Sequence, residues 1–329
     1  MDKRNDNFSD LKGIELLDLL VKIENYDLEY RTSLGLNEKV TFGIEIEYER
    51  LSKSLVKLFL NRNLEKWFSR PDGSLIFGGE VISPILRDNE KTWQDIKKIC
   101  TFLRRRRVVT SDNAGGHIHV GAQILGDDHS KWRKFVKTYA VYEDVLFRFL
   151  YGDKLTARKS LKKYAPPIAK AIFWQIDDIN KAKDIFDIRD GLPLESRAQA
   201  VNFTNVKFYK LDDQVRTKNT VEFRCPNSTV EEVIWQNNIN ALVKLLLATS
   251  SSDFDEEFID YKINNGEGPN SKKQYTYNEV LLKKVLEFAD LVFDNNQDKI
   301  YFLRQYLKNF EEINDINVAF KSKKFTKKA

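Results

Sequence analysis

The chain has 329 residues, of which 42% are hydrophobic and 31% charged, a composition that is ordinary for a globular protein and allows a substantial core. Its 54 basic and 49 acidic residues give a formal net charge of +5, a near balance that does not by itself indicate a nucleic-acid-binding protein, and nucleic acid is not expected as a partner. The two cysteines, Cys100 and Cys225, are too few for a disulfide framework, and neither belongs to a CxxC pair of the kind that holds structural zinc.

Two further features indicate a reducing, cytoplasmic environment. The amino terminus, MDKRNDNFSD, lacks the apolar segment of a secretory signal. The most apolar stretch, at 241–248, contains Lys244 and is far shorter than the roughly 20 residues that span a bilayer. A soluble protein with no membrane partner is therefore expected.

Hydrophobic periodicity predicts many helices, with strands in three regions of the chain. The predicted helices cover 10–34, 51–68, 88–106, 129–151, 155–190 with a break at Pro166 and Pro167, 229–251, 276–294 and 297–311. The predicted extended segments cover 40–50, 73–77, 79–83, the GGHIHVG segment at 115–121, and the pair 199–209 and 216–225, which a polar turn joins. This mixed order indicates an α+β fold, in which helices back an antiparallel sheet.

Three of the predicted strands each have one apolar face and one ionisable face, because alternate residues of a strand point to the same side. The apolar residues between them suit a buried core. The ionisable faces carry Glu45, Glu47 and Glu49 on the first strand, His117 and His119 on the second, and Glu222 and Arg224 on the third.

The carboxylates of the first strand predict a metal site. Glu45 and Glu47 lie roughly 7 Å apart, from a strand rise of about 3.3 Å per residue. Their repulsion costs on the order of 1 kcal/mol near a protein surface, and a cation would remove it. If Glu80 and Glu222 join them, four carboxylates face one arginine, an arrangement that suits hard divalent cations. An imidazole among them is compatible with Mg²⁺ or Mn²⁺.

Each motif taken alone also has a purely structural interpretation. ExE, HxH and VEFR are typical of the solvated face of a sheet, and GGEVISP is typical of a turn. Their joint occurrence in this order, each beside glycine or proline, favours a functional site.

Together these motifs resemble the carboxylate–amine ligase superfamily of glutamine synthetase and glutamate–cysteine ligase, and above all its amidoligase branch. GIEIE at 43–47 resembles the opening metal-binding strand of that family, and GGHIHVG at 115–121 its Gly-His-x-His segment. DGSL at 72–75 with GGEVISP at 78–84 resembles its second acidic motif, and TVEFRCPNST at 220–229 its last motif. RAQAVNFTN at 197–205 is a weaker likeness to the strand that precedes the last motif.

The resemblance implies two metal sites. Glu45 and Glu222 would hold one ion with His117, and Glu47 and Glu80 would hold another. The family often supplies a further carboxylate, for which the sequence offers no identified counterpart.

The resemblance also implies nucleotide-binding and catalytic groups. His119 would approach the nucleotide phosphates, and Arg224 would contact the γ-phosphate as it is transferred. Arg197 and Asn202 complete the implied nucleotide site. The implied catalytic residues are Glu45, Glu222 and Arg224.

Members of the superfamily use ATP with Mg²⁺ or Mn²⁺ to phosphorylate a carboxylate, and an amine then displaces phosphate to give an amide. The resemblance therefore implies an ATP-dependent amidoligase, acting on small-molecule or peptide carboxylates and amines and compatible with self-assembly. It implies an α+β fold whose antiparallel sheet forms a partial barrel with helices outside. The implied division is an N-terminal helical segment (1–39), a catalytic core (40–252), a helical C-terminal region packed on it (253–315) and a basic tail (316–329).

Three other functions remain open from the residues alone. A metal-dependent phosphohydrolase or nuclease would also use clustered carboxylates. A cupin-type barrel would use HxH, but it would need a Glu soon afterwards, where Gly121, Ala122, Gln123 and Ile124 follow. The third is a non-catalytic relative of the ligase fold.

Several residues outside the motifs are interpreted structurally. Glu143 and Asp144 are expected at the surface of an amphipathic helix. Arg158 is expected on a basic helix face, for which contact with a phosphate or carboxylate is the alternative. Three indole side chains on predicted helices are expected in the core rather than at a ligand: Trp132, Trp174 and Trp235.

Overall fold

The computed structural model describes residues 4–110, 113–154, 156–190, 192, 197–206, 218–267 and 280–308. Its strands are β1 (Phe42–Tyr48), β2 (Phe68–Arg70), β3 (Gly79–Ile82), β4 (Gly116–Gly121), β5 (Val201–Asn202) and β6 (Thr220–Phe223). Its helices are α1 (Gly13–Glu24), α2 (Lys53–Asn63), α3 (Glu90–Arg105), α4 (His129–Leu150), α5 (Leu161–Tyr164), α6 (Ala169–Trp174), α7 (Ile176–Lys181), α8 (Ile185–Asp190), α9 (Glu232–Ser250), α10 (Glu256–Asn264), α11 (Val280–Val292) and α12 (Asn296–Leu307). The predicted basic tail and the polar turn before the last strand lie outside the described residues.

The strands form one antiparallel sheet in the order β2-β3-β1-β4-β6-β5, which confirms the predicted mixture of helices with an antiparallel sheet. The prediction of a partial barrel differs from what is observed. Within the described residues the sheet is open, with β2 and β5 at its edges. These edge strands have three and two residues, so they offer few backbone groups for the further pairing that closure needs.

The apolar face of the sheet packs on two long helices. Phe223 of β6 contacts Phe135 and Tyr139 of α4, with ring centroids 6.3 Å apart in each pair. Trp235 of α9 lies so close to Gly116 that a Cβ atom there would come within 2.6 Å of the indole. The glycine before the histidine pair therefore serves the packing of α9 against β4.

Most of the long predicted helices are confirmed, with ends that shift by a few residues. The first is confirmed only in part, because the helix predicted over 10–34 ends at Glu24. The segment predicted as one broken helix over 155–190 forms the four short helices α5 to α8, and Pro166 and Pro167 account for the break between α5 and α6. No helix in the described part of the chain combines the length and apolar character that crossing a membrane requires.

The extended segment predicted at 73–77 is wrong. Asp72 accepts hydrogen bonds from the backbone N–H and the hydroxyl of Ser74, both at 2.7 Å, and Leu75 N–H donates to the Asp72 carbonyl. These contacts fold the segment into turns. The neighbouring strand is instead β2, on the other side of Pro71.

Two expectations about exposure are also wrong. Glu143 and Asp144 are buried, because α4 is covered by other helices along nearly its whole circumference. Glu143 accepts the backbone N–H groups of Ile168 and Ala169 at 2.7 and 3.2 Å, at the start of α6. Trp174, expected in the core, is 80% exposed.

Candidate active site

The ionisable faces of the central strands meet in one cavity of about 630 Å³. The register explains why: Glu45 lies opposite His117 across β1 and β4, and His119 lies opposite Glu222 across β4 and β6. Glu47 lies opposite Glu80 across β1 and β3. All the residues expected at the site line this cavity: Glu45, Glu47, Glu80, His117, His119, Arg197, Asn202, Glu222 and Arg224.

Glu45 is at the centre of the site and contacts both histidines. Its Oε2 lies 2.8 Å from Nδ1 of His117, and its Oε1 lies 3.1 Å from Nε2 of His119. Burial raises the pKa of this carboxyl, but the hydrogen bonds with the two imidazoles outweigh burial and hold the pKa well below its usual range. The Glu45 carboxyl is therefore ionised at neutral pH.

Glu222 is held by polar groups of its own strand and of the neighbouring segment. Asn202 and Asn205 donate to its Oε2 at 2.7 and 3.0 Å, and Arg224 Nη1 donates to its Oε1 at 2.6 Å. Burial raises the pKa of the Glu222 carboxyl, but the two site histidines and Arg224 lower it below its usual value. Asn202 thus supports a carboxylate directly, and its own oxygen accepts the N–H of Thr204 at 2.9 Å.

Glu47 and Glu80 form a second acidic group beside the first. Glu47 accepts the backbone N–H of Gly115, and its Oε1 lies 3.4 Å from Nε2 of His117. Glu80 has no hydrogen-bond or ion-pair partner among the described residues. Burial, followed by the nearby charge of Glu45, raises the pKa of Glu80 to about 7. A cation placed here would favour the ionised form.

Asp72 is a carboxylate of the cavity to which sequence reasoning assigns no role. It lines the cavity and contributes to the raised pKa of Glu80. Its signal in the sequence is the DGSL segment, which carries part of the family resemblance but points to no function for this side chain. Asn205, a second residue that sequence reasoning misses, lies in the weaker RAQAVNFTN likeness.

Glu45, His119 and Glu222 form a group of potential metal-ligand atoms in the described part of the chain. One ligand atom from each lies within 4.8 Å of the other two. Two carboxylate oxygens and one imidazole nitrogen fit a divalent cation. The resemblance implied His117 in this trio; His117 Nδ1 lies 2.8 Å from Glu45 and 3.9 Å from Glu222. His119, expected at the phosphates, is thus equally placed for the metal.

The remaining expected residues lie around this group. His119 Nδ1 lies 3.2 Å from the hydroxyl of Thr220, which orients the ring. Arg224 is fixed by Glu222, and its Nε lies 3.5 Å from the carbonyl of Tyr164. Arg197 is exposed and lines the cavity rim.

An apolar cleft of about 370 Å³ adjoins the acidic cavity on the same sheet face. Glu45 and His119 line both spaces, and Gly43 lies in the strand between them. Phe68 and Ile85 project into solvent at this cleft and are 41% and 75% exposed. One end of the sheet face is therefore charged and the other apolar.

Comparison with known proteins identifies the family of this chain. No curated protein sequence matches the chain. A family model described as "Putative amidoligase enzyme" matches residues 53–246, more than half of the chain. The matched region contains Glu80, both site histidines, Glu222 and Arg224, and begins just after β1. The chain therefore belongs to the amidoligase family.

Proposed function

We propose that the protein is an ATP- and Mg²⁺-dependent carboxylate–amine ligase, which forms an amide or peptide bond through an acyl phosphate. The observation that carries the proposal is the group of Glu45, His119 and Glu222, with Arg224 hydrogen-bonded to Glu222, in a chain of the amidoligase family. This group places candidate metal ligands beside the guanidinium of Arg224 in an open cavity.

Divalent metal ions would be held by two sets of side chains. Glu45, Glu222 and one or both histidines would hold the first ion, and Glu47 with Glu80 and Asp72 would hold the second. Bound there, Mg²⁺ or Mn²⁺ would neutralise the phosphate oxygens of ATP and bridge them to the protein.

Arg224 has a separate role in phosphoryl transfer. A substrate carboxylate oxygen attacks the γ-phosphorus of ATP, the bond to the β,γ-bridging oxygen breaks, and ADP leaves. Arg224 would stabilise the negative charge of the transferring phosphoryl group, held in place by Glu222 at 2.6 Å. The amine then attacks the acyl carbon and phosphate leaves with its oxygen. Neither step needs a serine or cysteine nucleophile.

The apolar cleft supports a nucleotide as the phosphate donor. A nucleoside triphosphate has a flat base at one end and charged phosphates at the other, and the sheet face has the same polarity. With phosphates at His119 and the metal, the base would occupy the cleft beside Phe68 and Ile85. A simple phosphodiesterase would not need an apolar cleft at this place, which makes the ligase the better proposal.

The cupin-type alternative fits the observed fold poorly. A cupin is a closed β structure, whereas the described strands form an open sheet backed by many helices. A non-catalytic relative would have no reason to keep ionised carboxylates beside an arginine and two histidines. The phosphohydrolase remains the alternative that an assay must separate from the ligase.

The direct test is Mg²⁺-dependent phosphate release from ATP by purified protein, screened with pooled amino acids, peptides and cell-wall fragments as donors. The proposal expects release of phosphate and ADP only when a carboxylate and an amine are both present, with a condensed product in the mass spectrum. Glu222→Gln should abolish release. The matched control Glu65→Gln, which changes an exposed carboxylate 3.8 Å from Lys66 and outside the site cavity, should leave it unchanged. Hydrolysis that needs no amine would instead identify a phosphohydrolase.

A further inference from the structure

Arg158 binds the backbone that follows the last site strand. Its guanidinium donates to the carbonyls of Arg224 at 2.7 Å, Cys225 at 3.2 Å and Pro226. Its Nε also donates to the hydroxyl of Ser160 at 3.2 Å. The side chain is only 5% exposed and precedes α5, so the prediction that it lies on a basic helix face is wrong.

The same guanidinium lies against the turn that enters β4. A Cβ atom on Gly115 would come within 3.1 Å of the guanidinium carbon of Arg158, so a larger residue there would have to displace the guanidinium by a few tenths of an ångström. The N–H of Gly115 donates to the carboxylate of Glu47, and the N–H of Gly116 donates to the carbonyl of Pro226 at 2.9 Å. Arg158 therefore contacts both backbone segments that border the site.

The chemistry of the contacts requires a guanidinium. A planar group with five N–H donors can bind three successive carbonyls and a hydroxyl together, whereas an ammonium group cannot reach them all. No carboxylate lies within ion-pair distance of Arg158 in the described part of the chain. Burying a cation among carbonyls and a hydroxyl, without a carboxylate, costs free energy. The groups that Arg158 contacts all border the site.

We propose that Arg158 is a positioning residue of the active site, which fixes Glu47 and Arg224 relative to each other. It does so by holding the carbonyls of 224–226 on one side and the Gly115 turn on the other. Since Glu47 lies 3.4 Å from Nε2 of His117, displacement of that turn reaches the histidine pair. The role deepens the proposed function and rests on it only where ligands are concerned.

The test compares Arg158→Lys with a matched control, Arg148→Lys. Arg148 is also 5% exposed and also donates to backbone carbonyls, those of Tyr306 and Leu307, but it lies outside the site cavity. The chain has three histidines, so the imidazole NMR signals of His117 and His119 can be followed at fixed pH, with the third, His129, as an internal reference. The ligand probe is Mn²⁺ alone, titrated by calorimetry.

Both variants should lower the Tm, but only Arg158→Lys should shift the imidazole signals of His117 and His119 and weaken Mn²⁺ binding, by about tenfold. If Arg158→Lys lowers the Tm and leaves those signals at their wild-type positions, Arg158 only stabilises the fold and the proposal is wrong. Failure of the wild-type protein to bind Mn²⁺ would contradict the proposed function, while the imidazole signals would still decide the role of Arg158.

A milder variant keeps the test valid if Arg158→Lys does not fold. Ser160→Ala removes the acceptor of Arg158 Nε, and with it the hydrogen bond from the Ser160 hydroxyl to the carbonyl of Asn113 at 2.8 Å. The three carbonyl contacts remain. The expected shifts of the site histidine signals are smaller and in the same direction; unchanged signals would overturn the proposal.

Discussion

Charged side chains are buried in two regions of this protein, among the helices and on one face of the sheet, and the two regions differ in how these charges are paired. Among the helices, two buried lysines have fixed carboxylate partners: Lys284 lies 2.9 Å from both oxygens of Asp144, and Lys299 lies 2.8 Å from Asp290. On the sheet face Glu45, Glu47, Glu80 and Glu222 crowd together. These two helical ion pairs are neutral without a ligand. On the sheet face, a ligand that brings positive charge would reduce the repulsion among the carboxylates.

The largest expected effect breaks a completed pair. Asp144→Ala leaves the Lys284 ammonium buried without its carboxylate, and we expect a loss of about 3–5 kcal/mol in the free energy of unfolding. Urea denaturation measures it. Lys283→Ala, which removes an exposed lysine 3.7 Å from Glu287, should change the free energy by less than about 0.5 kcal/mol. A loss below about 1 kcal/mol for Asp144→Ala would contradict the structural role of the pair.

The same kind of change on the sheet face should act on ligands instead. Glu45→Ala and Glu222→Ala remove metal ligands, so each should weaken Mg²⁺-dependent ATP binding by at least about tenfold to a hundredfold. Neither should unfold the protein, because each removes one of several crowded negative charges. Isothermal titration and circular dichroism check the two statements. Unchanged ATP affinity in both variants would exclude these residues from the site.

The apolar cleft offers a smaller and more selective effect. A Cβ atom on Gly43 would meet only ordinary contacts, the nearest being the Ser83 hydroxyl at 3.4 Å, so Gly43→Val should fold with its methyl groups directed into the cleft. We expect ATP to bind more weakly by about 1 kcal/mol, roughly fivefold, and Mn²⁺ alone to bind as before. Equal losses for ATP and Mn²⁺ would show that the cleft does not hold the base.

The smallest expected effect concerns pH in the metal-free protein. The pKa of Glu80 is raised to about 7 when folded, so its folded form binds a proton more readily than the unfolded chain does. Its contribution to stability is therefore present below the ordinary pKa of a glutamate and is lost as the pH rises through about 7. Glu80→Gln should be more stable than the wild type at pH 8 and differ less at pH 5. Thermal unfolding in EDTA measures this, and a gap that does not change with pH would contradict it.

The same contrast explains what the sequence could predict. Strict alternation in GIEIE, GHIHVG and TVEFR specifies two faces per strand, so the pattern alone assigns the ionisable residues to one side. The family resemblance rests on the same motifs, and the region that the family model matches, 53–246, contains the second and third of them. Each of these motifs is a short contiguous segment, so it can be recognised without knowing which distant residues it contacts.

The parts that could not be predicted depend on distant contacts. Glu143 occupies a position that is usually polar and exposed on an amphipathic helix, and its burial follows from the packing of α6 and other helices against α4. Arg158 has the sequence pattern of a surface cation, because its carbonyl acceptors lie more than 60 residues away. The choice between His117 and His119 as the proposed metal ligand depends on small differences between side-chain distances, which strand alternation does not set.

The central claim is that Glu45, Glu222 and the histidine pair hold a divalent metal that binds ATP. It is tested most directly by anomalous diffraction at the manganese edge from crystals grown with Mn²⁺ and a non-hydrolysable ATP analogue. The expected result is a manganese peak within bonding distance of Glu45 and Glu222, with the analogue's phosphates on it and its base in the cleft beside Phe68. A manganese-free cavity, or an analogue bound elsewhere on the protein, would contradict the claim.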